Sequence, residues 1–146
     1  MTRDYDYAVW LKIRHPAIDP DEITRRLGLW PQHAWKAGEH RPSSEHGGAA
    51  TYRETLWIAP VEPASAHATL GLTLDAALRS GALHVQRSKQ FWQRLVAEGG
   101  SAELLIEIFG PQTFTLELSP TTFAMLARSR LSLSVQVHSG RARAVA

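Results

Sequence analysis

The chain contains no cysteine among its 146 residues, which excludes disulfide staples, thiolate metal sites and cysteine nucleophiles and is compatible with a reducing compartment. No apolar run approaches the roughly 20 residues needed to cross a bilayer. The opening "MTRDYDYAVWLKI" also lacks the apolar stretch of a secretion signal. A soluble, cytoplasmic protein with no membrane partner is therefore expected.

Charge of one sign is equally scarce. Sixteen Lys and Arg oppose fourteen Asp and Glu, a net +2, and the isoelectric point near 9.3 overstates how basic the chain is. Phosphate binding driven by counterion release needs clustered cations, and here the acids are interspersed with the bases, so nucleic acid is not the expected partner. Arg141 and Arg143 follow Gly140 in what reads as a solvated terminus. One domain is expected over residues 1–138, with a flexible tail at 139–146.

Catalytic signatures are missing too. There is no Gly-x-Ser-x-Gly elbow, no phosphate-binding Gly-Lys-Ser/Thr loop and no His-Glu-x-x-His pair, so no catalytic residue and no cofactor is assigned.

What is present is a legible order of elements. In "YAVWLKI" Tyr7, Val9, Leu11 and Ile13 alternate with Ala8, Trp10 and Lys12, the period of a strand. "IDPDEITRRLG" predicts a helix with Asp19 as N-cap, Pro20 in the first turn and Gly28 ending it in a left-handed conformation. Asp21–Arg25 and Glu22–Arg26 have the spacing of stabilising pairs. The stretch 28–42 reads as loop, and "SSEHGGAA" as a polar or hairpin-like continuation. "TYRETLWIA" predicts a second strand.

Leu70, Leu74, Ala77 and Leu78 share a helical face that Gly81 would terminate, with Gly71 weakening its first turn. A further helix is expected from Val85 to Glu98, where Val85, Ser88, Phe91, Trp92, Leu95 and Val96 form a stripe. "AELLIEIF" and "TFTLEL" predict a hairpin joined by "GPQ". Ser119 and Pro120 open a last helix that offers Phe123, Leu126 and Ala127 to the core. Leu131, Leu133, Val135 and Val137 then line the dry face of a closing strand. The expected fold is α+β, a two-layer sandwich with a mostly antiparallel five-stranded sheet, helices on one face and ferredoxin-like pairing.

The richest stretch is "GLWPQHAWKAGEHRP". Trp30 and Trp35, with Trp10 and Trp57 on neighbouring strands, are expected to gather into one cluster that plugs the core, leaving some rings exposed beside His33, Lys36 and Arg41 as a binding surface. The candidate binding residues are Trp30, His33, Trp35, Lys36, Arg41 and Trp57. His33, His40 and His46 match no usual zinc spacing, and no metal site is assigned.

Leu27, Gly28, Pro31, Trp35, Lys36 and Gly38 within "IDPDEITRRLGLWPQHAWKAGEHR", the later Leu-Trp of "TLWIA" and the Ser-Pro helix before an alternating strand carry a likeness over nearly the whole chain. In these residues the chain resembles the bacterial family called domain of unknown function 4279. The resemblance implies a small, stand-alone cytoplasmic bacterial protein, and it implies no activity or catalytic residues. The expected role is a non-enzymatic binding module for a protein partner or a second copy of itself, with immunity-type inhibition of a toxin as an analogy. The alternative is a small-molecule or metal-dependent enzyme with His33, His40 and Glu39 in its pocket.

Overall fold

The alternation of the first segment becomes β1 (Asp6–His15). Tyr7, Val9, Leu11 and Ile13 are buried on one face, while Lys12 and Arg14 emerge on the other. The computed structural model describes residues 6–42, 50–61, 74–110 and 115–139. Buried His15 clasps the turn that follows. Its Nδ1 accepts the backbone N–H groups of Ala17 and Ile18 at 3.0 and 2.9 Å, which leaves Nε2 as the donor to Glu98 at 2.9 Å.

Helix α1 (Pro20–Leu27) starts and stops as the sequence predicts. The Asp19 side chain accepts the Asp21 N–H at 2.9 Å, and Gly28 closes the helix at φ 69°. Its charges do not pair along the helix. Glu22 bonds Arg94 of a distant helix, and Arg26 lies 5.8 Å over the Phe91 ring.

The segment expected to be loop holds a short strand, β2 (His33–Trp35), which pairs antiparallel with β3 (Thr55–Pro60). Helix α2 (Leu74–Arg87) runs through Gly81 instead of ending there. A Cβ on Gly81 would lie 2.9 Å from Leu104 Cδ2, so glycine lets the helix approach the sheet closely. The break comes at Ser88, whose hydroxyl donates to the Arg26 carbonyl, and α3 (Lys89–Ala97) follows. The expected helix from Val85 to Glu98 is thus divided. Leu70 and Gly71 lie outside the described residues.

β4 (Ser101–Gly110) does not form the expected hairpin. Residues 115–119 carry no strand, and Phe114 lies outside the described residues. The neighbour of β4 on that side is β5 (Leu131–Ser139), which runs parallel to it after a crossover through α4 (Pro120–Arg128), as parallel pairing requires. The register of α4 also differs from expectation: Thr122 and Leu126 are buried, whereas Phe123 and Ala127 are exposed. The dry face of β5 is only half dry, since Leu131 is buried but Val135 and Val137 are 42% and 50% exposed.

The sheet order is β2-β3-β1-β4-β5. In its first four strands every neighbouring pair is antiparallel, which is the split βαβ arrangement of ferredoxin-like folds. The fifth strand makes the sheet mixed. Val9, Leu11, Ile13, Trp57, Leu104 and Ile106 form one cluster with residues from all four helices, each fully buried aliphatic contributing about 1.5–3 kcal/mol. The fold is therefore an α+β sandwich with helices over one sheet face.

Candidate functional site

The opposite face of the sheet and the β2–β3 end each carry a hollow lined by aromatic and charged groups. Beyond β2 the ladder pauses and then resumes. Thr55 sits at the pause, fully buried, donating to the Ile18 carbonyl at 2.6 Å and accepting the Ala37 N–H at 3.1 Å. Gly38 takes φ 88°, a left-handed conformation that favours glycine, and its N–H reaches the Tyr52 carbonyl at 2.9 Å. Pairing then continues through Glu39–Tyr52 and Arg41–Ala50 backbone bonds of 3.0 and 2.9 Å.

This register brings Trp35 onto Tyr52. The two rings stack with centroids 4.9 Å apart and planes 14° from parallel. The Arg41 guanidinium lies 5.7 Å over the Tyr52 ring, a cation–π distance. Arg14 enters from the end of β1 and stands 3.7 Å from Glu54. Together with Arg53 and Leu56 these groups line a cleft of about 670 Å³. Among the described residues neither Arg41 nor Arg53 has a carboxylate within 4.0 Å.

A second hollow of about 520 Å³ lies on the open sheet face over Trp10, Ile58, Leu105 and Phe109, with His33, Glu107 and His138 at its border. His138 Nε2 is 3.0 Å from Glu107, and its ring stacks on Phe109 at 4.5 Å. Trp10 is 9% exposed, and among the described residues its buried indole N–H has no hydrogen-bond partner.

Of the residues singled out from sequence, Trp35 and Arg41 share the cleft, and Lys36 is half-buried in the turn between them, its N–H directed to Glu39 at 3.4 Å. His33 borders the second hollow. The expected tryptophan cluster does not form. Trp57 is 0% exposed in the core beneath the helices, donating to Thr24 Oγ1 at 3.0 Å, and Trp30 is 83% exposed. Because side chains alternate along a strand, Trp57 and its neighbour Leu56, which pairs with Trp35, point to opposite faces.

Sequence reasoning misses Tyr52, Arg14 and Arg53. The alternation Tyr52, Glu54, Leu56 is visible, yet it leads to Trp35 only once 33–41 is known to be the pairing partner. Nor do the histidines converge. His33 faces Ile58, His40 pairs with Thr51 at the far end of the ladder, and His46 lies outside the described residues. Among the described residues no group of three His, Asp or Glu is placed to hold a metal ion, and no helix is long and apolar enough to cross a membrane.

The model of a protein family described as domain of unknown function 4279 matches residues 5–140. The chain belongs to this family. The match to domain of unknown function 4279 runs from the start of β1 to just past β5, so the whole sheet and the Trp35–Tyr52 cleft fall within it. No curated protein and no solved structure matches the chain.

Proposed function

We propose that this domain of unknown function 4279 protein is a non-enzymatic binding module that holds an acidic segment of a protein partner in the Trp35–Tyr52 cleft. The observation that carries this reading is the stacked pair itself, flanked by the Arg41 and Arg53 guanidiniums that have no carboxylate partner among the described residues. Tryptophan, tyrosine and arginine supply most of the energy at protein interfaces. Guanidiniums without internal carboxylates favour acidic partners and repel basic ones. The competing reading, chemistry on loop histidines, has no converging set of side chains among the described residues to support it.

The test is crosslinked capture from the native host with wild-type protein, Trp35→Ala, Arg41→Glu and Trp30→Ala, followed by titration of the purified partner. Binding should fall by about tenfold or more, or 1.4 kcal/mol, in the first two variants, weaken with added salt, and persist in Trp30→Ala. A partner whose affinity is unchanged by Trp35→Ala and Arg41→Glu would remove the cleft from consideration.

A further inference from the structure

The two edges of the sheet are built differently. At one, β2 spans three residues, too few to template another strand. At the other, β5 spans nine residues, "LSLSVQVHS", and no described strand lies on its outer side. An open edge presents a row of unpaired backbone N–H and C=O groups, which proteins usually blunt with charge, proline, a bulge or brevity. β5 has no Asp, Glu, Lys, Arg or Pro, and its ladder with β4 runs uninterrupted from Leu131 to Ser139. Val135 and Val137 are also exposed on it.

We propose that this edge is a homotypic interface, in which two copies of the chain pair their β5 strands antiparallel about a two-fold axis at Val135 and form one continuous sheet. The pattern of the strand identifies the occupant. An antiparallel partner centred on Val135 sets Leu133 opposite the partner's Val137, Val135 opposite the partner's Val135, and Ser134 opposite the partner's Gln136. Apolar meets apolar on the helix side, and polar meets polar on the open side. A shift of the partner by one residue would mix the two faces. A two-fold interface must be self-complementary in this sense, and a strand without charge has no like-charge clash to offer its own copy.

The geometry has a consequence for the other edge. With the axis perpendicular to the sheet, the helices of both copies lie on the same side, and the two β2–β3 ends point away from each other, unobstructed. The interface does not rest on the cleft's role, since β5 and β2 are opposite edges of the sheet.

The test is sedimentation of the full chain over a concentration series, with Val135→Lys alongside. Wild type should approach twice the 16.2 kDa of one chain. Val135→Lys, which sets two ammonium groups directly opposite each other, should stay monomeric with a cooperative thermal melt. Because the chain has no cysteine, Val135→Cys reads the register independently. Cα separations across an antiparallel pair fall within disulfide range, so it should crosslink on mild oxidation far faster than Leu83→Cys, whose position is exposed on α2. A wild type that stays monomeric throughout, a Val135→Lys dimer, or a Val135→Cys variant that crosslinks no faster than Leu83→Cys would each overturn the proposal. Should Val135→Lys fail to fold, the crosslinking comparison decides.

Discussion

Asp75, in the first turn of α2, accepts the backbone N–H of Ser119 at 2.8 Å and its hydroxyl at 3.2 Å. Ser119 is itself the N-cap of α4 and accepts the Thr122 N–H at 3.2 Å, so one carboxylate joins two helices through a cap. Burial raises the Asp75 pKa, but the Ser119 backbone bond, the Thr122 and Ser119 hydroxyls and nearby Arg79 together outweigh it and hold the group below the usual 3.8. A depressed folded pKa means stability that is present above pH 3.8 and lost as pH falls through the lower folded value. Asp75→Asn should therefore be less stable than wild type at neutral pH by about 1 kcal/mol, the net worth of one such bond. It should also lose less stability between neutral and strongly acidic pH. Denaturant titrations at both pH values check this, and parallel pH profiles would contradict it.

Trp57 and Trp35 should separate stability from recognition. Trp57 is enclosed and bonded to Thr24, so Trp57→Ala should cost about 3–5 kcal/mol. Trp35 is half-buried against Tyr52, and Trp35→Ala should cost about 1 kcal/mol, near the worth of a stacked pair. Chemical unfolding of the two variants measures the difference. Equal losses would make Trp35 a core residue and would weaken the binding cleft.

Features set by neighbours along the chain are legible in the amino-acid sequence, and features set by distant partners are not. The Asp19 and Ser119 caps and the alternation of β1 and β4 are local, and the folded chain keeps them. β2 is three residues long with no alternation, and only the opposite strand makes it a strand. "TFTLEL" has a strand's pattern, but the edge of β4 goes to β5, which outcompetes it through a parallel ladder. The face of β3 is ambiguous in sequence because both sets, Leu56 and Ile58 against Trp57 and Ala59, are apolar. Residue type alone marks Trp35 and Arg41, whereas Tyr52 becomes visible only through the ladder.

Gly81 should reveal how closely α2 lies on the sheet. Alanine gains about 1 kcal/mol in helix propensity over glycine, but its Cβ would meet Leu104 at 2.9 Å, and overpacking costs about 1–3 kcal/mol. Gly81→Ala should therefore fail to stabilise the protein. Leu104→Ala should cost less in the Gly81→Ala background than alone, with a coupling of about 1 kcal/mol in a double-mutant cycle. Additive effects would show that helix and strand do not press on each other at this point.

Trp10 and Trp92 form a matched pair, since both are buried, at 9% and 6% exposure. Among the described residues only one of them has a hydrogen-bond partner for its indole. Trp92 Nε1 donates to the Ser129 carbonyl at 2.7 Å and fastens α3 to the end of α4, while Trp10 Nε1 has no partner among the described residues. Replacement by phenylalanine removes a similar volume at both sites, so the cavity penalties roughly cancel in the comparison. What differs is the polar balance. Trp92→Phe breaks a bond and strands a buried carbonyl, whereas Trp10→Phe removes a donor that was already unpaired and whose burial costs about 1–3 kcal/mol. Trp92→Phe should therefore be the more destabilising by about 1–2 kcal/mol, read as a larger drop in denaturation midpoint at unchanged slope. Equal losses would mean that the Trp10 indole finds a partner in solution, and an acceptor on the open sheet face would then have to be sought.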